Sequence, residues 1–190
     1  MALARIKKSG GDLRGGGKAF TGLILGYIFT ALLPILAAAG FAAGNDAITK
    51  AKRVTTLATA VAIEMAVNNF ITEYGTMPSN GSTDTTLTTI TDTGLLKVLL
   101  GLEGKLNTRS IKFLSVKKER EKKNGLAYSS NGRGVVGLYD PWGGGYKVRL
   151  DLDSDEKLDM GGETLDNRRV AVLSDGPDRK AGTKDDVKTW

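Results

Sequence analysis

FTGLILGYIFTALLPILAAAGFAA, residues 20–43, contains no Asp, Glu, Lys or Arg, and the charge-free interval around it runs from Lys18 to Asp46. A helix of that length, rising about 1.5 Å per residue, reaches roughly 36 Å, enough to cross a hydrocarbon layer about 30 Å thick with some tilt. The stretch predicts a membrane-spanning helix. A cleaved secretory signal and a buried core helix are the competing readings, and the apolar part of a signal, about 7 to 15 residues, is much shorter than this run.

The flanks orient the span. Arg5, Lys7, Lys8, Arg14 and Lys18 precede it against the single acid Asp12, and no base follows it until Lys50. Basic residues beside a span are retained in the cytoplasm, so residues 1–19 are expected inside as a basic leader and residues 44–190 outside as a head. Five of the 27 bases and one of the 21 acids lie before Phe20, which leaves 22 bases against 20 acids. That near balance offers no bulk charge for a nucleic-acid-binding domain. With neither Cys nor His in the sequence, disulfides, thiolate or imidazole metal sites, Ser-His-Asp triads and Cys-His pairs are all excluded. Carboxylate chemistry such as glycoside hydrolysis remains, but no fixed pair of acids for it stands out, and the expectation is a protein without catalytic activity.

Beyond the polar junction Gly44-Asn45-Asp46, helical periodicity returns. Ile48, Ala51, Val54, Ala58, Val61, Met65 and Phe70 recur at spacings of three to five, which predicts an amphipathic helix over 46–74 with this stripe toward a core and the other side toward solvent or a neighbour. Gly75 and Pro78 end it. Together the two segments make a long rod, with residues 40–45 the place for a break and Pro34 the place for a kink. Residues 79–93 read as an irregular surface connection, 95–102 as a short buried helix, 111–114 as a weak strand and 117–123 as a solvated charged turn. Strands are expected over 126–129, 135–139, 146–152 and 169–173, separated by Asn-Gly, Pro and Gly turn chemistry. Short loops favour antiparallel pairing, so the fold class is α+β, a long N-terminal helix packed on a small antiparallel sheet.

Three stretches could carry chemistry. In SDGPDRKAGTKDDVKTW, residues 174–190, Asp178 precedes a glycine-containing turn and Asp185 and Asp186 follow it. Calcium takes six to eight oxygens, which three carboxylates and the main-chain carbonyls of Leu173 and Asp175 would supply; an acidic surface turn is the plainer reading. Asp151, Asp153 and Asp155 have the alternate spacing that opens an EF-hand loop, but its sixth position is Glu156 and its twelfth Gly162, so a solvated strand end is expected. Residues 140–146, DPWGGGY, read as a packing turn, with a carbohydrate platform of Trp142 and Tyr146 as the alternative.

The order of parts, basic leader, KAFT at 18–21, apolar helix, amphipathic helix, YGTMP at 74–78, DPWG at 140–143 and GPD…GTKDDV…W at 176–190, resembles the type IV pilin superfamily, and most closely the major pseudopilins of type II secretion systems. The resemblance covers residues 18–78 and 138–190. It implies a pilin-like α+β fold, a single pass through a bacterial inner membrane with a periplasmic head, and a structural role in a secretion pseudopilus. It also implies a prepilin peptidase cutting between Ala19 and Phe20, an inner-membrane assembly platform and other pilin-like subunits as partners, and calcium held by Asp178, Asp185 and Asp186. Three positions depart from the family pattern: Ala19 stands where Gly is usual, Ile24 where the fifth residue of the mature helix is mostly Glu, and Pro34 about two turns nearer the start. A minor type IV pilin for adhesion or DNA uptake shares the same parts, and a non-polymerising, membrane-anchored calcium or glycan binding module is the rival of another class.

Overall fold

The computed structural model describes residues 16–119, 121–130 and 134–190, without the side chains of 16–19 and 35–43. Most of the basic leader, Arg120 in the basic run and the Asn-Gly turn at 131–132 lie outside the described residues, as does the side chain of Ala19 at the proposed cleavage bond. The fold is α+β. Its first element, α1, is one helix from Gly16–Tyr74 with Pro34 inside it. Residues 40–45 are helical throughout, so the expected break is absent. Gly40 and Gly44 each disfavour helix by about 1 kcal/mol relative to alanine, and the alanines at 37–39 and 42–43, the best helix formers, surround them.

The chain divides into two compact units, Met1–Lys50 and Ala51–Trp190. In the first, every described side chain from 20 to 34 and from 44 to 50 is exposed, and Phe20–Pro34 is an uncharged, apolar helical stretch. Further along α1, Gly44–Tyr74 is long and apolar enough to cross a membrane, with a third of its most apolar window buried inside the protein. That part carries Asp46, Lys50, Lys52, Arg53, Glu64 and Glu73, and its residues from Thr56 to Phe70 enter the core of the second unit.

Within the second unit, α1 buries Thr56, Ala60, Ile63, Ala66, Val67 and Phe70, a run at spacings of three and four. The stripe expected from sequence is corrected: Ala51, Val54, Ala58, Val61 and Met65 are exposed, as is Ile48 in the first unit, and of the seven only Phe70 is buried. Between 54 and 67 the helix is apolar on nearly every side, so periodicity alone does not rank its faces. The chosen face combines small residues, which let strands approach, with Ile63 and Phe70, which fill the space between them.

Against this stripe lie the strands. A four-stranded antiparallel sheet runs β1 (Thr85–Thr88), β4 (Tyr146–Leu150), β7 (Val170–Ser174), β8 (Val187–Lys188) in spatial order. The short helix α2 (Thr93–Leu99) buries Leu95, Leu96, Val98 and Leu99, while Leu102, expected in it, is exposed. Two hairpins complete the unit, β2 (Gly125–Tyr128) with β3 (Val135–Tyr139), and β5 (Lys157–Met160) with β6 (Glu163–Asp166). Strand β7 is buried at all five residues. Side chains alternate across a strand, so Val170 and Val172 enter the core beneath α1 while Ala171 and Leu173 join Leu158, Met160, Leu165 and Trp190 beneath the β5–β6 hairpin.

Four expectations about elements change. β1 lies inside the stretch expected to be irregular, and β5, β6 and β8 are additional strands. Residues 111–114 are not a strand: the backbone N–H groups of Phe113 and Leu114 both donate to the Leu99 carbonyl, at 2.9 and 3.0 Å, which ties an extended segment to the end of α2. Strand β4 ends at Leu150 rather than 152.

Candidate functional site

The acidic C-terminal loop grows from the end of β7. Ser174 pairs with Val187 across β7 and β8, so the segment between them closes on itself. Its base is held by Asp140, buried in the DPWG turn. One carboxylate oxygen of Asp140 accepts the backbone N–H of Trp142 at 2.9 Å and of Gly144 at 2.8 Å, and the other accepts the Ser174 hydroxyl at 2.7 Å. Ser174 in turn accepts the N–H of Gly176 at 3.3 Å. Gly176 has φ +67°, and a Cβ there would stand 2.4 Å from the Asp185 carbonyl oxygen. Only glycine permits that approach, which brings the two arms of the loop together.

Within the loop, the structure gathers two of the three expected carboxylates. Thr183 donates its hydroxyl to Asp185 and lies 3.4 Å from Asp186. The second oxygen of Asp185 accepts the Asp178 N–H at 3.1 Å, and that of Asp186 the Gly182 N–H at 2.9 Å. Asp178 directs its own carboxylate to the Lys180 N–H at 2.8 Å, an Asx turn. Asp175 is engaged by Lys147 through both oxygens at 2.8 Å, and Leu173 is buried in β7. The Thr183 hydroxyl holds the Asp185 carboxyl below its ordinary pKa, against the opposing effect of burial. The donor set is all hard oxygen, which suits calcium. Asp185 and Asp186 share the Thr183 hydroxyl, whereas the Asp178 carboxylate is engaged with the Lys180 N–H.

Among the described residues, the group of three carboxylates whose oxygens lie within 4.8 Å of one another is elsewhere: Asp84, Asp151 and Asp153. Asp151 is not a solvated strand end. It is buried in the turn after β4, accepting the N–H groups of Ser154 at 2.7 Å and Glu156 at 3.1 Å. Asp84 accepts the Leu152 N–H at 3.1 Å and lies 3.7 Å from the Arg149 guanidinium. Burial raises the Asp84 pKa, opposed by the Leu152 N–H and Arg149 and assisted by the charges of Asp153 and Asp151. These donors explain the cluster as a turn closed by side chains.

At the other candidate, Tyr146 is 1% exposed and its phenol pKa is pushed up by burial. It therefore cannot form a carbohydrate platform with the half-buried Trp142. Asp140, Ser174, Gly176 and Thr183 are the residues that sequence reasoning missed at this site. The signal for Asp140 was present, since Asp followed by Pro-x-Gly is an Asx-turn sequence, whereas its bond to Ser174 depends on tertiary approach. No protein-family model matches the chain, and neither the curated proteins nor the solved structures contain a match.

Proposed function

We propose that this chain is a non-catalytic structural subunit of a membrane-anchored filament, a pilin-like protein of the pseudopilin kind that serves type II secretion. The observation that carries this reading is α1, one helix whose stretch from Phe20 to Pro34 is uncharged and exposed and whose last turns furnish the core of an α+β head. An exposed apolar run of that size is unfavourable in water and at ease in a bilayer or against the same run in neighbouring copies. The Thr30 hydroxyl donates to the Gly26 carbonyl at 2.7 Å, which satisfies it without water.

In this reading residues 20–43 span a bacterial inner membrane, the leader 1–19 stays in the cytoplasm and the head is periplasmic. A prepilin peptidase cuts between Ala19 and Phe20, and an assembly platform stacks the chain with other pilin-like subunits. Calcium bound at Asp178, Asp185 and Asp186 stiffens the C-terminal loop. The new N-terminal ammonium at Phe20 is costly in an apolar filament core unless paired. Ile24 offers it no charge, so a partner subunit carrying Glu at the corresponding position supplies one.

The test is expression with and without a type II secretion assembly system. The chain should appear in sheared filaments only beside partner pilins, and Ile24→Glu should increase its share. A chain that stays in the membrane under both conditions is a plain anchor, and abundant filaments from the unaltered chain alone remove the role given to Ile24.

A further inference from the structure

The face of α1 that enters the core of the second unit runs through Thr56, Ala60, Ile63, Val67 and Phe70, and one turn earlier the same spacing places Arg53, half-buried. There the stripe meets the acidic loop instead of the sheet. The Arg53 guanidinium donates to the main-chain carbonyl of Asp186 at 3.5 Å, a contact that joins the helix to a segment far along the chain.

The loop has a use for that charge. Asp186 is 7% exposed, and the groups that reach its carboxylate are neutral, the Gly182 N–H at 2.9 Å and the Thr183 hydroxyl at 3.4 Å. Asp185 is likewise held by the Thr183 hydroxyl and the Asp178 N–H. Among the described residues no ion pair takes up Asp178, Asp185 or Asp186. Other bases nearby are engaged elsewhere or lie in solvent: Lys147 holds Asp175 through both oxygens at 2.8 Å, Arg179 donates to the Trp142 carbonyl, and Lys180 and Lys184 are exposed. Neighbouring acids, one of them buried, are costly without a countercharge, and a half-buried guanidinium is screened less by salt than an exposed ammonium. The Asp185 carboxyl is held below its ordinary pKa first by the Thr183 hydroxyl, and the Arg53 charge acts in the same sense. The field of Arg53 therefore reaches the carboxylates as well as the backbone.

We propose that Arg53 is the resident countercharge of the acidic loop and that a divalent cation held by the loop's aspartates competes with it. The proposal rests on the calcium reading above and adds the residue that sets the affinity. Calcium brings two positive charges to acids that Arg53 already offsets in part, so Arg53 weakens its binding. In return Arg53 keeps the loop closed when the ion is absent. It acts on the ion through the loop, as a positioning residue and not as a ligand.

The test titrates calcium chloride into the detergent-solubilised full chain by calorimetry and follows melting in calcium and in chelator. Arg53→Gln and Arg53→Met keep an extended side chain and lose its charge. Both should tighten calcium binding several-fold, lower the melting temperature in chelator and widen the rise that calcium gives. Arg53→Lys, which restores the charge, should return the affinity close to that of the unaltered chain. Lys184→Gln, which removes an exposed charge from the loop itself, should change it less than Arg53→Gln does, and added sodium chloride should narrow the gap between Arg53→Gln and the unaltered chain. Asp185→Asn combined with Arg53→Gln should abolish binding, which assigns the ion to this loop. A neutral variant that folds only in calcium supports the proposal, as does calcium bound by Arg53→Gln and not by the unaltered chain. Calcium affinity unchanged or weakened in both neutral variants overturns it, and so does a melting temperature lowered equally in calcium and in chelator, the mark of a contact that merely packs the loop on the helix. Equal affinities remove this proposal and leave the calcium reading; absence of calcium binding in every chain removes both.

Discussion

Asp140 is one carboxylate with three donors, and through them it joins the DPWG turn to the end of β7 and the base of the acidic loop. Asp140→Ala leaves those donors unsatisfied in a buried place and should cost about 1–3 kcal/mol in denaturant unfolding of the detergent-solubilised chain. Gly176→Ala should cost about 1–2 kcal/mol from its left-handed backbone alone, with further loss from the Asp185 carbonyl in its way. Two acids should titrate in opposite senses. Asp185 has a depressed pKa in the fold, so the stability it contributes is present above the ordinary carboxyl value and disappears as pH falls through the depressed one. Asp84 has a raised pKa, so holding it ionised costs stability above that raised value, and the cost is gone below the ordinary one. Carboxyl NMR during acidification should show Asp84 protonating before Asp185, and Thr183→Val should bring Asp185 nearer to Asp84; the reverse order would contradict both assignments. Calcium has its own check: it should raise the melting temperature of the chain, and Asp185→Asn should remove the rise. A rise that survives Asp185→Asn and is lost in Asp153→Asn puts the metal at the turn after β4, and a melting temperature indifferent to chelator removes calcium from the proposal.

Helix α1 has two apolar faces in the second unit, and they should respond differently to truncation. Ile63→Ala or Phe70→Ala opens the core between α1 and the sheet and should cost about 2–5 kcal/mol. Val54→Ala or Met65→Ala removes exposed groups and should change stability by less than about 0.5 kcal/mol in the isolated subunit. Equal losses on both faces would mean that the stripes are misassigned. The contrast also marks what the sequence could convey. The helix itself was legible because its apolar residues are long in extent, although the glycines at 40 and 44 pointed to a break that is absent, and β3 was legible residue for residue because VVGLY sits between turn signals. Which helix face is buried was not, since apolar residues occur on both and only the sheet selects between them. β1 is TTLT, a polar-looking edge strand specified by its pairing with β4 rather than by its own hydrophobicity. Asp151 looked like a solvated acid because nothing local shows that Ser154 and Glu156 fold back to bind it. At the acidic loop the three aspartates were visible as a set, whereas the contacts that bend Asp178 away from the other two depend on the turn geometry at Arg179 and Gly182, both at positive φ.

As a whole, the proposed subunit combines an apolar helical stretch suited to a bilayer or to like neighbours with a unit of nearly balanced charge that has its own core. Protease added outside spheroplasts should remove the head and spare the residues around 20–43; a head digested only after lysis would reverse the orientation derived from Arg5, Lys7, Lys8, Arg14 and Lys18. The central claim, that the chain is a pilin-like subunit rather than an anchored module, turns on processing. The most direct measurement is the intact mass of the chain extracted from membranes that contain a prepilin peptidase. The account predicts a chain beginning at Phe20, and recovery of only the full-length chain beginning at Met1 would contradict it.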